Sequence, residues 1–287
     1  MSIIKSIQER ITDLPMPSLV VARLLTVIQD ENHSLKDVVK IIENDAALTT
    51  RVLKVANSAA FSRGISIESL NRAVAHLGER FVLGIAIGSS TSAVFSSSMT
   101  GYASSSDELW NHSLQTAIAS KELTNYSKIK VPGEKSFTVG LLHDIGKSIL
   151  SEFLGASPEK ILEKYDVAKE DYLDAERNIL GIDHAETGAS IAEYWHLPKS
   201  ICNVIRYHHK PAGCPEEDRP TAYIVHVGDM FSMMSGAGTG MDMLAYRMDS
   251  DFRNYLNLTK RDISKIILYI QDEFQFAKNL MISNGEK

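Results

Sequence analysis

Apolar residues in this chain recur at three- and four-residue intervals and almost nowhere in strict alternation, which predicts helix after helix. Leu19, Val20, Leu24, Val27 and Ile28 form one stripe between Pro17 and Gln29. Ser34-Leu-Lys-Asp37 has the spacing of a helix start, and Val38, Val39, Ile41 and Ile42 follow as its buried face. Ala46 to Asn57 repeats the pattern, and Arg72 to Leu77 and Phe81 to Phe95 add two more segments. A polar, Ser-rich stretch from Ser96 to Ser106 then interrupts it.

Helical spacing resumes near Asp107 with Trp110, His112, Leu114 and Ile118. Val131-Pro-Gly133 breaks the chain before a helix expected to hold His143 and Asp144. Asp183-His-Ala-Glu186 is spaced as a capping box, which puts His184 in a first turn and ends that helix near Trp195. Pro198 suits the first turn of the next helix, with His208 and His209 at its end. Lys210 to Pro220 reads as a loop with three prolines, and Ala222 to Met234 as an apolar helix interrupted by His226 and Asp229. Thr259 and Asp262 are spaced as another cap, ahead of a terminal helix to about Ile282. The predicted fold is all-α and multi-helix, in three stretches: 1–98, 107–235 with the candidate chemistry, and 241–287. Ser235-Gly-Ala-Gly-Thr-Gly240 is the link to the last, flexible enough to let those helices move or pack on a partner.

Composition narrows the class without naming a function. The chain has 287 residues, 44% of them hydrophobic and 23% charged, as in an ordinary soluble globular protein. No apolar run reaches the ~18–20 residues of a membrane span. The first ten residues lack the order of a signal peptide, so no membrane association and a cytoplasmic location are expected. A formal charge of −6 argues against direct nucleic-acid binding, yet leaves room for a small phosphorylated ligand in a locally positive pocket. Cys202, in a helix, and Cys214, in the proline-rich loop, match no disulfide framework or zinc ribbon and read as plain thiols.

The chemistry gathers on histidine and aspartate. His143-Asp144 lies in the apolar setting Gly140-Leu-Leu-His-Asp-Ile-Gly-Lys147, where burial needs a cation or a hydrogen-bond network. With His112, His184, His208, His209 and Asp229 the pair makes a ligand set for two metals. Imidazole with carboxylate suits iron, manganese, nickel or zinc, and a carboxylate can bridge two such ions around an activated water. Lys147, one turn beyond the pair, is placed to meet a phosphate oxygen. Each member also has an ordinary explanation. His112 can be a simple helical histidine, His184 a neighbour of a capping aspartate, and His208-His209 a polar helix end. Asp229 can be satisfied by His226 three residues earlier. His33, His76 and His196 read as surface or packing residues.

In order and spacing, His112, His143-Asp144 and Asp229 resemble the HD superfamily of metal-dependent phosphohydrolases, and His184 with His208-His209 resembles the extra ligands of its bimetallic HD-GYP branch. Lys210-Pro-Ala-Gly-Cys-Pro215 stands where that branch carries Gly-Tyr-Pro. The first half is similar to the HDOD domain through Leu14-Pro-Met-Pro17, Ile42-Glu-Asn-Asp-Ala-Ala-Leu48, Leu53-Lys-Val-Ala-Asn-Ser-Ala-Ala-Phe61 and Ala73-Val-Ala-His-Leu-Gly78. Leu109-Trp-Asn-His-Ser113 and Trp195-His-Leu-Pro198 extend the likeness over about residues 12–210. Asp45-Ala46 departs from the family's frequent Asp-Pro. The resemblance implies a bacterial signalling module with a protein partner and little or no established catalysis, in which Asp45, Asn57, Ser58 and Phe61 are structural. It implies two divalent metals, iron favoured over manganese, nickel or zinc. The alternative is a metal-dependent phosphohydrolase or phosphodiesterase acting on a nucleotide or cyclic dinucleotide, with Asp144 and Lys147 as its catalytic groups. A redox or gas sensor through an iron pair and a metal-free helical scaffold complete the options.

Overall fold

A computed structural model describes residues 2–30, 32–57, 66–90, 99–105, 107–155, 172–238, 240 and 246–282. The described chain is all-α, with two isolated bridges, Met99 to Ser104 and Ser127 to Leu256, in place of any sheet. The N-terminal helices are α1 (Ile3–Thr12), α2 (Leu19–Gln29), α3 (Leu35–Ile42), α4 (Ala46–Ala56), α5 (Leu70–Leu77) and α6 (Glu79–Ser90). They follow the apolar stripes closely because each stripe is bounded by a working cap. The Ser34 N–H donates to Asp37 Oδ2 at 3.0 Å at the start of α3, and Val38, Val39 and Ile42 are its buried residues. α5 begins two residues before its stripe because Ser69 Oγ accepts from the Arg72 N–H at 3.3 Å. Asn57 holds the end of α4 to the following chain through the Ile67 N–H, at 2.7 Å. Ser58, Phe61, the end of the stripe at 91–95 and part of the Ser-rich stretch lie outside the described residues.

The second half is assembled on α7 (Glu108–Leu123). α8 (Gly133–Leu142) and α13 (Arg219–Met234) pack along its length, and α14 (Lys260–Ile282) lies over it. These helices approach closely because the facing residues are small. A Cβ at Gly140 of α8 would stand 2.9 Å from both Ala117 Cα and Ser120 Oγ of α7. α9 (Lys147–Leu154), α10 (Tyr172–Leu180), α11 (His184–Tyr194) and α12 (Lys199–Tyr207) follow, with α9 packed on α11 and α11 on α12. Pro211–Gly213 is a single 3₁₀ turn, and α13 starts at Arg219 with Pro220 in its first turn, so the proline-rich loop is shorter than expected.

One apolar cluster runs from Ile7 through the first-half helices into Leu141, Ile149, Val204 and Tyr246. A second unites Ala119, Leu123, Ile224, Val227 and Phe231 with Ile266 and Ile270 of α14. The terminal helix is therefore docked on α7 and α13, and Gln271 Nε2 donates to the Ser235 carbonyl at 3.2 Å. Thr259 and Asp262 cap it reciprocally, as their spacing predicts. Cys202 and Cys214 are free and buried, and burial pushes their thiols up to about 11 and about 12. No described helix is long and apolar enough to cross a membrane.

His76 and His196 are exposed, whereas His33 is half-buried and ties the α2–α3 connection to α6. Its Nε2 lies 2.6 Å from Glu79 Oε2, and Nδ1 donates to the Asp30 carbonyl. The Glu79 hydrogen bond, aided by that carbonyl, raises the imidazole above its ordinary 6.5. A raised value means stabilisation that is complete below 6.5 and lost as pH rises through the folded value. The melting-temperature advantage of wild type over Glu79→Gln is therefore expected to shrink between about pH 6 and about pH 9. A constant difference across that range would show that the pair does not titrate with folding.

Candidate metal centre

Five elements deliver the seven predicted donors to one point. His112 comes from the second turn of α7, His184 is the first residue of α11, His208 and His209 follow the last turn of α12, and Asp229 sits on α13. His143 and Asp144 are not inside a helix as the periodicity predicts. α8 ends at Leu142, and the chain turns tightly through Gly146 before α9. The Ile145 N–H donates to the Leu142 carbonyl at 3.1 Å and the Lys147 N–H to the Asp144 carbonyl at 3.0 Å, bonds three residues long rather than four. The cause is α11, which crosses against Gly146. A Cβ there would stand 2.0 Å from the His184 carbonyl oxygen and 2.6 Å from the Gly188 nitrogen. The same crossing brings His184 beside Asp144.

Asp144 is the centre of the arrangement. Its Oδ2 lies 3.5 Å from both His112 Nε2 and His143 Nε2. Its Oδ1 faces the other way, 3.4 Å from His184 Nε2 and 3.6 Å from His208 Nε2. Asp229 Oδ1 joins the first group, 3.0 Å from His112 Nε2 and 3.6 Å from His143 Nε2. His209 joins the second, its Nε2 3.0 Å from that of His184. The donor atoms of His112, His143 and Asp229 all lie within 4.8 Å of one another, as do those of Asp144, His184, His208 and His209. Lys147 Nζ reaches Asp144 Oδ2, the oxygen that faces His112 and His143, at 2.7 Å. All of these side chains are buried, His209 the least at 9% exposed.

Outward-facing nitrogens fix which atoms point inward. His112 Nδ1 donates to the Ala237 carbonyl at 2.8 Å, His143 Nδ1 to Gly140 at 2.8 Å and His208 Nδ1 to Ile205 at 2.7 Å. His184 Nδ1 pairs with Glu176 Oε2 at 2.8 Å. With the Nδ1 proton held by these acceptors, the neutral ring aims an Nε2 lone pair at the centre, the form a metal takes. His112 and His143 then face each other at 3.2 Å with no proton of their own to share. Asp144 Oδ1 and His208 Nε2 are buried with no hydrogen-bond partner, since 3.6 Å is too long for one. Two orphaned atoms at the middle of a His/Asp cluster fit a cation.

The electrostatics have the same origin. Burial opposes charge on every group, and opposite charges decide which group keeps it. Burial raises Asp144 and Asp229, yet His143 and Lys147 beside the first, and His112 bonded to the second with His143 close by, hold both well below the usual carboxylate range. Burial works against protonated His184, but Glu176 outweighs it and lifts the imidazole to about 9. His112 is raised for the same reason by Asp229. Burial wins at His208, lowered to about 4, and at His209, which is lowered further beside His208 and His184.

The bland partner for Asp229 is not realised. His226 donates through Nδ1 to the His208 carbonyl at 2.9 Å and accepts the Asp249 N–H at Nε2, also at 2.9 Å. It braces the turn that carries two donors. Three contributors were missed from sequence. Glu176 also receives the Tyr102 hydroxyl, Ala237 supplies the carbonyl for His112, and Tyr246 stacks on His209 with centroids 4.1 Å apart. None belongs to a local motif; each is defined only by a distant partner.

A family model for the HDOD domain matches residues 14–211, a span that includes every candidate donor except Asp229. An uncharacterized protein of Treponema pallidum (strain Nichols) is 28% identical over 86% of this chain, which spans 48% of that relative's length. A candidate signal transduction protein from Marinobacter aquaeolei VT8 has a similar fold at 18% identity and a TM-score of 0.72, over 97% of this chain and 65% of the other. A candidate metal-dependent phosphohydrolase from Shewanella amazonensis SB2B is similar in fold at 22% identity and a TM-score of 0.62, over 94% and 96% of the two chains.

Two substitutions test how the centre is built. Gly146→Ala is expected to lower the unfolding free energy by about 1–3 kcal/mol, while Gly133→Ala, whose Cβ meets nothing closer than 3.4 Å, is the neutral control. Equal melting temperatures for the two would remove the crossing as a constraint. Glu176→Gln is expected to weaken divalent-metal retention about 10–100-fold, the usual effect of losing a carboxylate behind a metal-binding imidazole. Competition against a chromophoric chelator measures this, and unchanged retention would detach Glu176 from the centre.

Proposed function

The chain belongs to the HDOD domain family, and from that premise we propose that it is a bacterial, cytoplasmic signal-transduction module built around a two-metal centre, with little or no turnover. The observation that carries this is the double-facing carboxylate of Asp144, with Oδ2 toward His112 and His143 and Oδ1 toward His184 and His208. Asp144, His112, His143 and Asp229 would hold one ion, and Asp144, His184, His208 and His209 the other. Five imidazoles with two carboxylates favour iron, with manganese, nickel or zinc as alternatives. Two divalent ions against two carboxylates leave the centre cationic, and Lys147 adds to that charge. The module's ligand would accordingly be a phosphorylated small molecule or nucleotide, and its output a contact with a signalling protein. The Marinobacter protein, similar in fold, carries a candidate role in signal transduction, which supports this output.

Lys147 favours a second function, a metal-dependent phosphohydrolase or phosphodiesterase acting on a nucleotide or cyclic dinucleotide. Its ammonium stands at the edge of the donor cluster, 2.7 Å from the carboxylate that would join the two ions. When bound, the ions would supply Lewis acidity toward a phosphoryl oxygen and acidify a coordinated water. In this chain Lys147 would hold a second phosphate oxygen, and Asp144 would set the distance between the two ions. The candidate Shewanella phosphohydrolase supports this chemistry, and the lack of Gly-Tyr-Pro after His209 weighs against cyclic dinucleotides.

Metal analysis of protein purified without an affinity tag comes first. About two ions per chain are expected, and fewer than ~0.2 would end both metal-dependent functions. Asp144→Asn is expected to lose both ions, since a carboxamide cannot bridge them with both oxygens. Loaded protein is then offered cyclic dinucleotides, nucleotides and a generic phosphodiester in the presence of Fe, Mn, Ni or Zn. No turnover supports the module, and hydrolysis abolished by Asp144→Asn supports the enzyme.

A further inference from the structure

The ring of Tyr246 lies against both Lys147 and the second group of donors. Its ring lies nearly parallel to that of His209, 22° apart, with centroids separated by 4.1 Å. The His184 ring is 6.2 Å away and that of Tyr172 6.5 Å. Lys147 Nζ stands 5.3 Å from the Tyr246 centroid and 5.8 Å from that of Tyr102, so the ammonium lies between two aromatic faces. Behind the donors, Ser232 and Ala237 bond His112 and close the other side. Tyr246 is itself 8% exposed. It is positioned from the chain just beyond it, where the Asp249 N–H donates to His226, the same histidine that holds the His208 carbonyl.

We propose that Tyr246 determines which ligands reach the centre. Its ring covers His209 and the ammonium of Lys147, limits the centre to water-sized ligands, and leaves room for a phosphate ester only when it is displaced. This rests on the metal-binding function above, and it adds a selectivity residue that lies outside the donor set. A phosphate group needs the space beside Lys147 that the ring fills, whereas water does not. The aromatic contact is also directional. Phenylalanine preserves the cover, and a small side chain removes it.

Full-length Tyr246→Ala and Tyr246→Phe proteins test the assignment with two independent probes. In metal-free protein, diethyl pyrocarbonate is expected to modify His209 about tenfold faster or more in Tyr246→Ala than in wild type. Tyr246→Phe should match wild type, and exposed His76 should react alike in all three. In protein loaded with Mn²⁺, EDTA should strip Tyr246→Ala faster by a similar factor, and inorganic phosphate should bind that variant, by calorimetry, and not wild type. If Tyr246→Ala lacks a wild-type circular dichroism spectrum, Tyr246→Leu takes its place with the same expectation. Equal His209 modification in wild type and the opened variant would overturn the role of Tyr246. Failure of wild type to take up metal would overturn the metal centre instead, and the His209 rates would still decide Tyr246.

Discussion

Imidazole nitrogens whose protons are committed elsewhere cannot face one another at hydrogen-bond distance in a dry interior without positive charge between them. That constraint governs the whole second half of this protein. His112 and His143 meet at 3.2 Å and His184 and His209 at 3.0 Å, with Asp144 and Asp229 pressed among them. Each unsatisfied polar atom of this kind costs about 1–3 kcal/mol. Protons can supply part of the charge, which is why Asp229 raises His112 and Glu176 raises His184 despite complete burial. They cannot supply all of it, because His208 and His209 are driven neutral by the same burial, and Asp144 Oδ1 is left without a donor. Metal cations at the two sets would supply it and release protons as they bind.

Holding such a cluster together requires a backbone that cannot relax away from it. The crossing of Gly146 with α11 supplies that stiffness, because the His184 carbonyl occupies the space where any side chain at 146 would lie. His143 and Asp144 are thus aimed by a turn, not by a helical repeat, and both side chains enter the same small volume. On the other side, α7 presents His112 from a helix buried against α8 and α13, with small residues at the contacts. His226 completes the frame by bonding the backbone of His208 rather than the carboxylate three residues along its own helix. His112 is held from beyond α13 by Ala237 and His184 from α10 by Glu176, whereas His143 and His208 are fixed by carbonyls of the helices they follow.

Much of this was legible in the sequence, and the exceptions share one cause. The helices were readable from apolar spacing and from caps such as Ser34 with Asp37 and Thr259 with Asp262, since those interactions span three residues. The seven donors were readable as residue types in order, although nothing local revealed that Asp144 would turn one oxygen to each group. The helix expected through His143 failed because Gly146 answers to α11, some forty residues onward. Asp229 was open to a local partner because the sequence offers His226 at helical spacing, and tertiary structure sends that imidazole elsewhere. Glu176, Ala237 and Tyr246 were invisible for the same reason: an ordinary residue takes on its role from a contact over 8, 125 and 37 positions respectively.

The distinction between a signalling module and a hydrolase therefore does not lie in the donors. Either function would need all seven, and either would need the outward bonds that fix their tautomers. What differs is access and the freedom of Lys147. A phosphoryl oxygen would have to compete with Asp144, which holds that ammonium at 2.7 Å in a buried ion pair, and, on the role proposed for Tyr246, to pass its ring. Breaking a buried ion pair is costly unless a new charge replaces the old, and two metal ions drawing on Asp144 would lower that cost by taking over the carboxylate. In the proposed centre, metal loading and phosphate recognition would thus be coupled through a single side chain. A centre wired in this way would respond to its metal content first and to a phosphorylated ligand second, an order of events that suits the proposed sensor better than an enzyme with high turnover.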